Sequence, residues 1–188
     1  MTLERKEGGP GAASGRETAG RGSAERTKER VSGTIPPHAL HFMSSRQCPY
    51  LACGKGSMRT VLELLPAEEK AALHSFRITL RAARRVAEAC RALGGWLIEP
   101  ELLSFDPAEI YFTRDGRRAC LQLGGMGLGL YDGLLYFLDR LDELSAASGA
   151  GRIAERLRDL EPAGHAGTSV PGCEDILREL SLWELELD

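Results

Sequence analysis

Apolar residues recur every three or four positions through the middle of the chain, the spacing that places side chains on one face of a helix. The repeat consists of Leu73, Phe76, Leu80, Ala83, Ala87, Cys90 and Leu93. Pro66 favours the first position of a helix, and Gly94 and Gly95 favour its end. The pattern therefore predicts one long amphipathic helix that ends at these glycines.

A β-hairpin is predicted after this helix. Apolar and polar residues alternate on both sides of Asp115 and Gly116, a pair typical of hairpin turns. We predict strands near 109–113 and 118–123, with Asp106 and Asp115 as turn residues and Glu109 facing solvent on the first strand. Helical spacing returns in 131–141, 153–160 and 176–183. The predicted fold class is α+β, mostly helical, with one central β-hairpin.

Charge is unevenly distributed along the 188 residues. Residues 1–57 carry nine Lys or Arg and five Glu, net +4, whereas the remainder carries fifteen against twenty-two, net −7. Nucleic-acid binding usually requires a basic face, so we expect no nucleic-acid partner for this acidic body. No apolar run approaches the roughly eighteen residues of a membrane span. Five scattered cysteines argue against a disulfide framework, so we expect a cytoplasmic protein.

Composition also predicts the domain organisation. Residues 1–42 are poor in large apolar side chains and are expected to form a disordered tail. Residues 43–57 contain the apolar cluster CPYLAC and form a poorly defined cover segment, and 58–188 form the domain. Four residues near this boundary are of the types that bind zinc: His38, His41, Cys48 and Cys53. Their order and loop lengths are unusual, and we expect no metal.

A long helix, a loop, a β-hairpin and a glycine-containing loop occur here in the order of the catalytic segment of the protein-kinase C-terminal lobe, which this region resembles. The segment FDPAEIYFTRDGRRACLQLG follows that family's loop, hairpin and DFG motif without gaps. Pro107 falls on the loop proline, Asp115 and Gly116 fall on the turn, and Gly124 falls on the DFG glycine. The resemblance implies helices like those of the kinase C-terminal lobe around the hairpin.

The reactive positions of the kinase motif carry other residues in this chain. Ser104 stands where the resemblance places the catalytic Asp, and Asp106 replaces the loop lysine. Glu109 replaces the metal-binding Asn, and Gln122 replaces the metal-binding Asp. A serine cannot accept a proton as a carboxylate does, and a glutamine offers no anionic oxygen to magnesium. The resemblance therefore implies a kinase-like skeleton that is not an enzyme and needs no cofactor.

A narrower resemblance covers about residues 60–185. This region is similar to the bacterial pseudokinase-like domains found ahead of forkhead-associated phosphothreonine-binding domains, and to the related cytoplasmic domains of type VII secretion proteins. The densest match is FRITLRAARRVAEACRALGGWLIEPELLSFDPAEIYF. It implies a non-catalytic protein-interaction module in bacterial signalling or secretion, whose partner is phosphorylated or carries a forkhead-associated domain.

One candidate binding surface is apolar and includes Trp96, Tyr111 and Phe112. A kinase covers this region with its N-terminal lobe, which is short or absent here. An exposed apolar patch usually marks an interaction site. Either residues 40–60 fold back over the patch or a second chain covers it, and we favour the intramolecular cover.

A second candidate surface is the cluster of arginines on the non-core side of the long helix, which consists of Arg77, Arg81, Arg84, Arg85 and Arg91. Such a row suits an acidic or phosphorylated partner. The simpler interpretation is a solvated helical face with an Arg84–Glu88 pair.

An alternative function uses the sequence GGMGLG between Gly124 and Gly129, which lies between a predicted strand and a predicted helix. A loop in this position binds phosphate in nucleotide-binding proteins. The glycine spacing differs from that of the dinucleotide motif, and no acidic residue ends a second strand about twenty residues on. The alternative is a small nucleotide-binding enzyme.

Overall fold

The computed structural model describes residues 35–45, 48–52, 55–66, 72–125, 127–160 and 170–187. Within these residues it contains six α-helices and three short strands. In chain order they are α1 (Pro37–Ser45), β1 (Arg59–Thr60), α2 (Val61–Leu64), α3 (Ala72–Gly94), β2 (Tyr111–Phe112), β3 (Ala119–Cys120), α4 (Leu130–Leu144), α5 (Ala150–Arg158) and α6 (Cys173–Leu187). Short 3₁₀ turns span Pro100–Leu102 and Ala146–Ser148. The fold is α+β and mostly helical, as predicted.

Helix α3 is central and contacts α4, α5, α6 and β3. Much of its buried face is made of alanines, which let neighbouring elements approach closely. The helix ends at Gly94, as predicted, whereas residues 67–71 near the expected start lie outside the described residues. The prediction for Leu73 was wrong, because its side chain is 60% exposed. It lies in the first turn of α3, ahead of Arg77, which donates to the Leu187 carbonyl near the C-terminal end of α6.

The three strands form an antiparallel sheet in the order β1-β2-β3. Tyr111 pairs with Thr60 on one side and with Cys120 on the other. The strands are shorter than predicted, and isolated bridges Leu51–Leu121 and Leu103–Leu123 continue the pairing beyond them. The sheet therefore joins the hairpin to segments that lie before it in the chain.

Residues 37–45 and 48–52 have defined structure in a region that we predicted to be a disordered tail and a poorly defined segment. Helix α1 begins inside the expected tail of residues 1–42, with Pro37 at its first position and Ala39 fully buried. The edge of the Phe42 ring packs on Trp96 with centroids 4.8 Å apart. Such a distant contact stabilises a helix too short to be stable alone, and composition does not reveal it.

The cover segment folds back as expected. The Ala52 amide donates to the Leu121 carbonyl at 2.8 Å, and the Leu121 amide donates to the Tyr50 carbonyl at 2.9 Å. Leu51 and Ala52 are buried. In the described part of the segment, residues 50–52 therefore lie against the end of β3 of the hairpin.

Among the described residues, none of the helices has the length and apolar character needed to cross a membrane. The last helix buries Trp183 and exposes Leu182 and Leu185, so its apolar residues face two directions.

Candidate functional site at the hairpin

Ser104, Glu109 and Gln122, which the sequence resemblance placed at reactive positions, lie close together. The Ser104 amide donates to the Gln122 carbonyl at 2.9 Å, which places the loop before the hairpin beside the end of its second strand. The Ser104 hydroxyl donates to a carboxylate oxygen of Glu109 and accepts from the Asp106 amide at 3.3 Å. These polar groups therefore satisfy one another inside the protein.

Glu109 does not face solvent on a strand, so that prediction was wrong. Its amide donates to the Asp106 carbonyl at 2.8 Å, which closes a turn over residues 106–109 and delays the strand until Tyr111. The Glu109 side chain is half-buried against Ser104. Asp106 is the turn residue that we predicted, because its carboxylate accepts the Ala108 amide at 2.9 Å.

The Gln122 side chain forms a hydrogen bond across the hairpin. Its amide nitrogen donates to the Tyr111 hydroxyl at 3.1 Å. Gly124 has φ of 112°, a backbone conformation that favours glycine. The structure thus brings Ser104, Glu109 and Gln122 into one region and ties their side chains to each other or to Tyr111.

Asp115 shapes the hairpin turn, as predicted. Its carboxylate accepts the Thr113 hydroxyl at 2.6 Å and the Arg117 amide at 3.1 Å. These bonds, the first of them above all, lower the pKa of Asp115 below its ordinary value. Gly116 follows with φ of 66°, which the turn requires.

The predicted apolar surface is mostly covered. Phe112 is only 1% exposed, and Tyr111 and Trp96 are half-buried. The cover comes from the chain itself, since α1 lies against Trp96 and β1 pairs with Tyr111 and Phe112. Phe112 is therefore a core residue, and the prediction of a binding role for it was wrong.

Leu97 remains exposed beside this surface, with 76% of its area accessible. Its φ of 58° makes it the sole described residue other than glycine with a positive φ. The Ile98 amide donates to the Leu93 carbonyl at 3.1 Å and the Leu97 amide to the Gly94 carbonyl at 3.0 Å. This is a Schellman motif with leucine at the position where glycine is usual. The glycines at 94 and 95 do not take this role.

The arginine row on α3 is bound to α6. Arg81 Nε lies 2.7 Å and Arg84 Nη1 lies 2.5 Å from the Glu184 carboxylate. Arg84 also pairs with Glu88 at 3.0 Å, as the simpler interpretation predicted. Arg77 donates to the Leu187 carbonyl. Because these groups hold two helices together, we no longer assign Arg77, Arg81 and Arg84 to a docking strip.

Three backbone amides of the loop between Gly124 and Gly129 donate to carbonyls of the preceding segment. The amides of Gly124 and Gly125 donate to the Leu102 carbonyl at 3.0 and 3.1 Å, and that of Gly127 donates to the Glu101 carbonyl at 3.2 Å. A Cβ at Gly125 would lie 2.1 Å from the Leu103 carbonyl oxygen. The glycines thus permit close packing on the preceding segment, and these three amides are not available to a phosphate group.

The histidines and cysteines do not converge in the described part of the chain, where no group of three or more potential ligands could hold a metal. His38 Nε2 lies 3.0 Å from the Leu97 carbonyl oxygen, and Cys53 lies outside the described residues. Burial raises the pKa of the Cys90 and Cys120 thiols, which keeps them protonated and poorly nucleophilic.

The hairpin turn was predicted only as a turn, and its positive charge was not foreseen. Three arginines, Arg114, Arg117 and Arg118, surround Asp115 and Gly116, and they project around a cleft against α3. The run TRDGRR was the available signal. Comparisons with family models, curated proteins and solved structures found no match for this chain.

Proposed function

We propose that this chain is a non-catalytic, kinase-like module that acts by binding a protein partner in the cytoplasm, in bacterial signalling or secretion. The observation that carries the proposal is the hydrogen bond between Ser104 and Glu109. In a kinase the aligned side chains face the substrate and the metal ions. Here they face each other, and Gln122 faces Tyr111.

Leu97 supports a role in binding. A bulky residue in the left-handed region costs about 1–2 kcal/mol, and glycine would remove most of that cost. Leu97 gains little burial in return, because it is 76% exposed. Strain of this kind commonly marks a functional position. An exposed apolar side chain on a rigid helix end suits an apolar contact with another protein.

The nucleotide-binding alternative has less support. A phosphate loop needs free amides, whereas the amides of Gly124, Gly125 and Gly127 are occupied. The Glu101 carboxylate also lies near the start of α4, where an ideal Cβ at Gly129 would be 3.6 Å from its oxygen. A negative charge there opposes a phosphate group.

The catalytic half of the proposal is tested with labelled ATP, magnesium and generic acceptor proteins, alongside thermal unfolding with and without magnesium ATP. We expect no phosphoryl transfer and no change in unfolding temperature. Phosphoryl transfer by the wild type that disappears in Ser104→Ala and Glu109→Gln, but persists in the surface control Glu155→Gln, would contradict it.

The binding half is tested by affinity capture from cell extract with photo-crosslinking. Leu97→Asp is compared with Leu144→Asp, a control at a leucine that is 49% exposed on α4. We expect a partner that the wild type and the control retain and that Leu97→Asp loses. Equal capture by all three proteins would show that Leu97 does not carry the interaction.

A further inference from the structure

The tip of the hairpin and helix α3 enclose a cleft of about 500 Å³ that lies apart from the Ser104 cluster and from Leu97. The charged part of its lining consists of Arg85, Arg114, Arg117 and Arg118 with Glu88 and Asp115. Four arginines against two acids give a net charge of +2. This contrasts with residues 58–188, where fifteen basic and twenty-two acidic residues give −7.

The carboxylates of both acidic residues in the cleft, Glu88 and Asp115, already have partners within the protein. One Glu88 oxygen binds Arg84 at 3.0 Å, and the other binds Arg85 at 2.6 Å. Asp115 accepts the Thr113 hydroxyl and the Arg117 amide, and Arg117 Nε lies 3.8 Å from its second oxygen. The acids therefore leave the remaining guanidinium groups without a carboxylate.

Arg114 and Arg118 carry the excess charge. Within the described residues neither forms an ion pair, and both are exposed. The Arg118 guanidinium lies over the Tyr50 ring at 6.0 Å from its centroid. The Thr113 amide donates to the Arg118 carbonyl at 3.0 Å, and the Arg118 amide donates to the Thr113 hydroxyl at 3.2 Å. These bonds fix the backbone that presents the arginines.

We propose that this cleft binds a phosphorylated serine or threonine side chain in a segment of a protein partner. Guanidinium groups bind phosphate oxygens in pairs of charge-assisted hydrogen bonds, and a fixed backbone reduces the entropy lost on binding. A phosphorylated side chain carries nearly two negative charges at neutral pH, and this charge complements the net charge of +2 in the cleft. The proposal names the partner's chemistry and so rests on the proposed function.

The N-terminal segment of this chain is a poor alternative occupant. Residues 1–34 carry seven Lys or Arg and five Glu, net +2, so their charge is not complementary to the cleft. A nucleic acid is also a poor occupant, because the basic cleft is small and the remainder of the protein is acidic and would repel the phosphate backbone.

The test is fluorescence anisotropy on the full chain with two labelled peptide libraries of randomised flanks, one with a fixed phosphoserine or phosphothreonine and the other with the unmodified residue. We expect the phosphorylated library to bind at least tenfold more tightly. Arg114→Ala and Arg118→Ala should each weaken binding about tenfold, and the double variant about a hundredfold. The matched control is Arg178→Ala on α6, where Arg178 pairs with Asp175 at 3.4 Å.

Several results would overturn the proposal. They are equal binding of both libraries, unchanged binding by the double variant, and equally tight binding of a single-stranded oligonucleotide or of free inorganic phosphate. The Leu97→Asp variant separates this inference from the proposed function. If a partner is captured through Leu97 but the protein shows no preference for phosphorylated peptides, only the inference about the cleft is wrong. If the protein transfers phosphoryl groups and still binds phosphorylated peptides, only the proposed non-catalytic function is wrong.

Discussion

Arginines occur in two groups in this molecule, and the groups differ in the carboxylates available to them. On α3, Arg81 and Arg84 meet Glu184 of α6 at 2.7 and 2.5 Å. At the hairpin tip, Arg114 and Arg118 form no ion pair within the described residues. From the sequence, the first group was a candidate docking surface beside the simpler interpretation of a solvated helical face, and no role was predicted for the second group. The structure pairs the first group with α6 and leaves the Arg114 and Arg118 side chains exposed.

The difference comes from which element lies opposite each group. Helix α6 places glutamates along α3, since Glu174 also lies 3.3 Å from Arg91 near the other end of the contact. The hairpin tip faces α3 at Glu88, which is shared between Arg84 and Arg85. A basic cluster is therefore informative about binding only after the carboxylates that face it have been counted.

The largest effect is expected when the interhelical pairing is broken. Glu184→Ala should lower the free energy of unfolding by about 1.5 kcal/mol, because two arginines lose a carboxylate whose side chain is only 18% exposed. Urea denaturation measures this change. The matched control is Glu186→Ala, which removes a 59% exposed partner of Arg156 and should cost much less. Equal losses in the two variants would show that the α3–α6 pairing is not special.

A smaller effect appears when the same carboxylate is protonated. Burial alone would raise the pKa of Glu184, but hydrogen bonds from Arg81 and Arg84 outweigh it and hold the pKa below the ordinary 4.5. A group with a lowered pKa stabilises the fold above its unfolded pKa and loses that contribution as the pH falls through its folded pKa. The stability difference between wild type and Glu184→Gln should therefore be full at neutral pH and shrink below 4.5.

Urea titrations between neutral and acidic pH measure this difference, with Glu186→Gln as the control. A difference that stays constant to the lowest pH at which both proteins fold would show that Glu184 is not ionised and paired in the way that the geometry indicates.

The elements that could be predicted from the sequence depend on nearby residues. The periodicity from Leu80 to Leu93 predicts α3, and the Asp115–Gly116 pair predicts the turn, because each signal acts within a few positions. The Arg84–Glu184 contact joins residues 100 apart, and no local pattern selects it. Helix α1 depends in the same way on the distant contact between Phe42 and Trp96.

The candidate site was only partly predictable for the same reason. The sequence resemblance drew attention to Ser104 and Glu109, but their mutual hydrogen bond depends on the turn that begins at Asp106. The backbone conformation of Leu97 was not foreseen, because the glycines three and two residues earlier gave the stronger signal for a helix end.

The end of α3 offers a test in which stability should increase. Leu97→Gly should raise the free energy of unfolding by about 0.5–1 kcal/mol, because glycine adopts a positive φ without the steric cost of a side chain. Thermal and urea denaturation measure the gain. Leu97→Ala is the control, since alanine keeps the steric cost and should give no comparable gain. A loss of stability in Leu97→Gly would show that the exposed leucine contributes to the fold, which would weaken its proposed role in binding.

The smallest effect on stability is expected at the hairpin tip, where the double variant Arg114→Ala/Arg118→Ala should change the free energy of unfolding by less than about 0.5 kcal/mol. Both side chains are exposed, and the Arg118–Tyr50 contact at 6.0 Å lies at the outer limit of a cation–π interaction. The matched comparison is Arg81→Ala/Arg84→Ala, which removes the same number of arginines from the α3–α6 contact and should cost more than 1 kcal/mol by the same scale of charged hydrogen bonds. If urea denaturation gave equal losses for the two double variants, the tip arginines would be structural residues, and the contrast between the two groups would fail. If the tip variant is instead as stable as the wild type, Arg114 and Arg118 do not contribute measurably to the stability of the described fold.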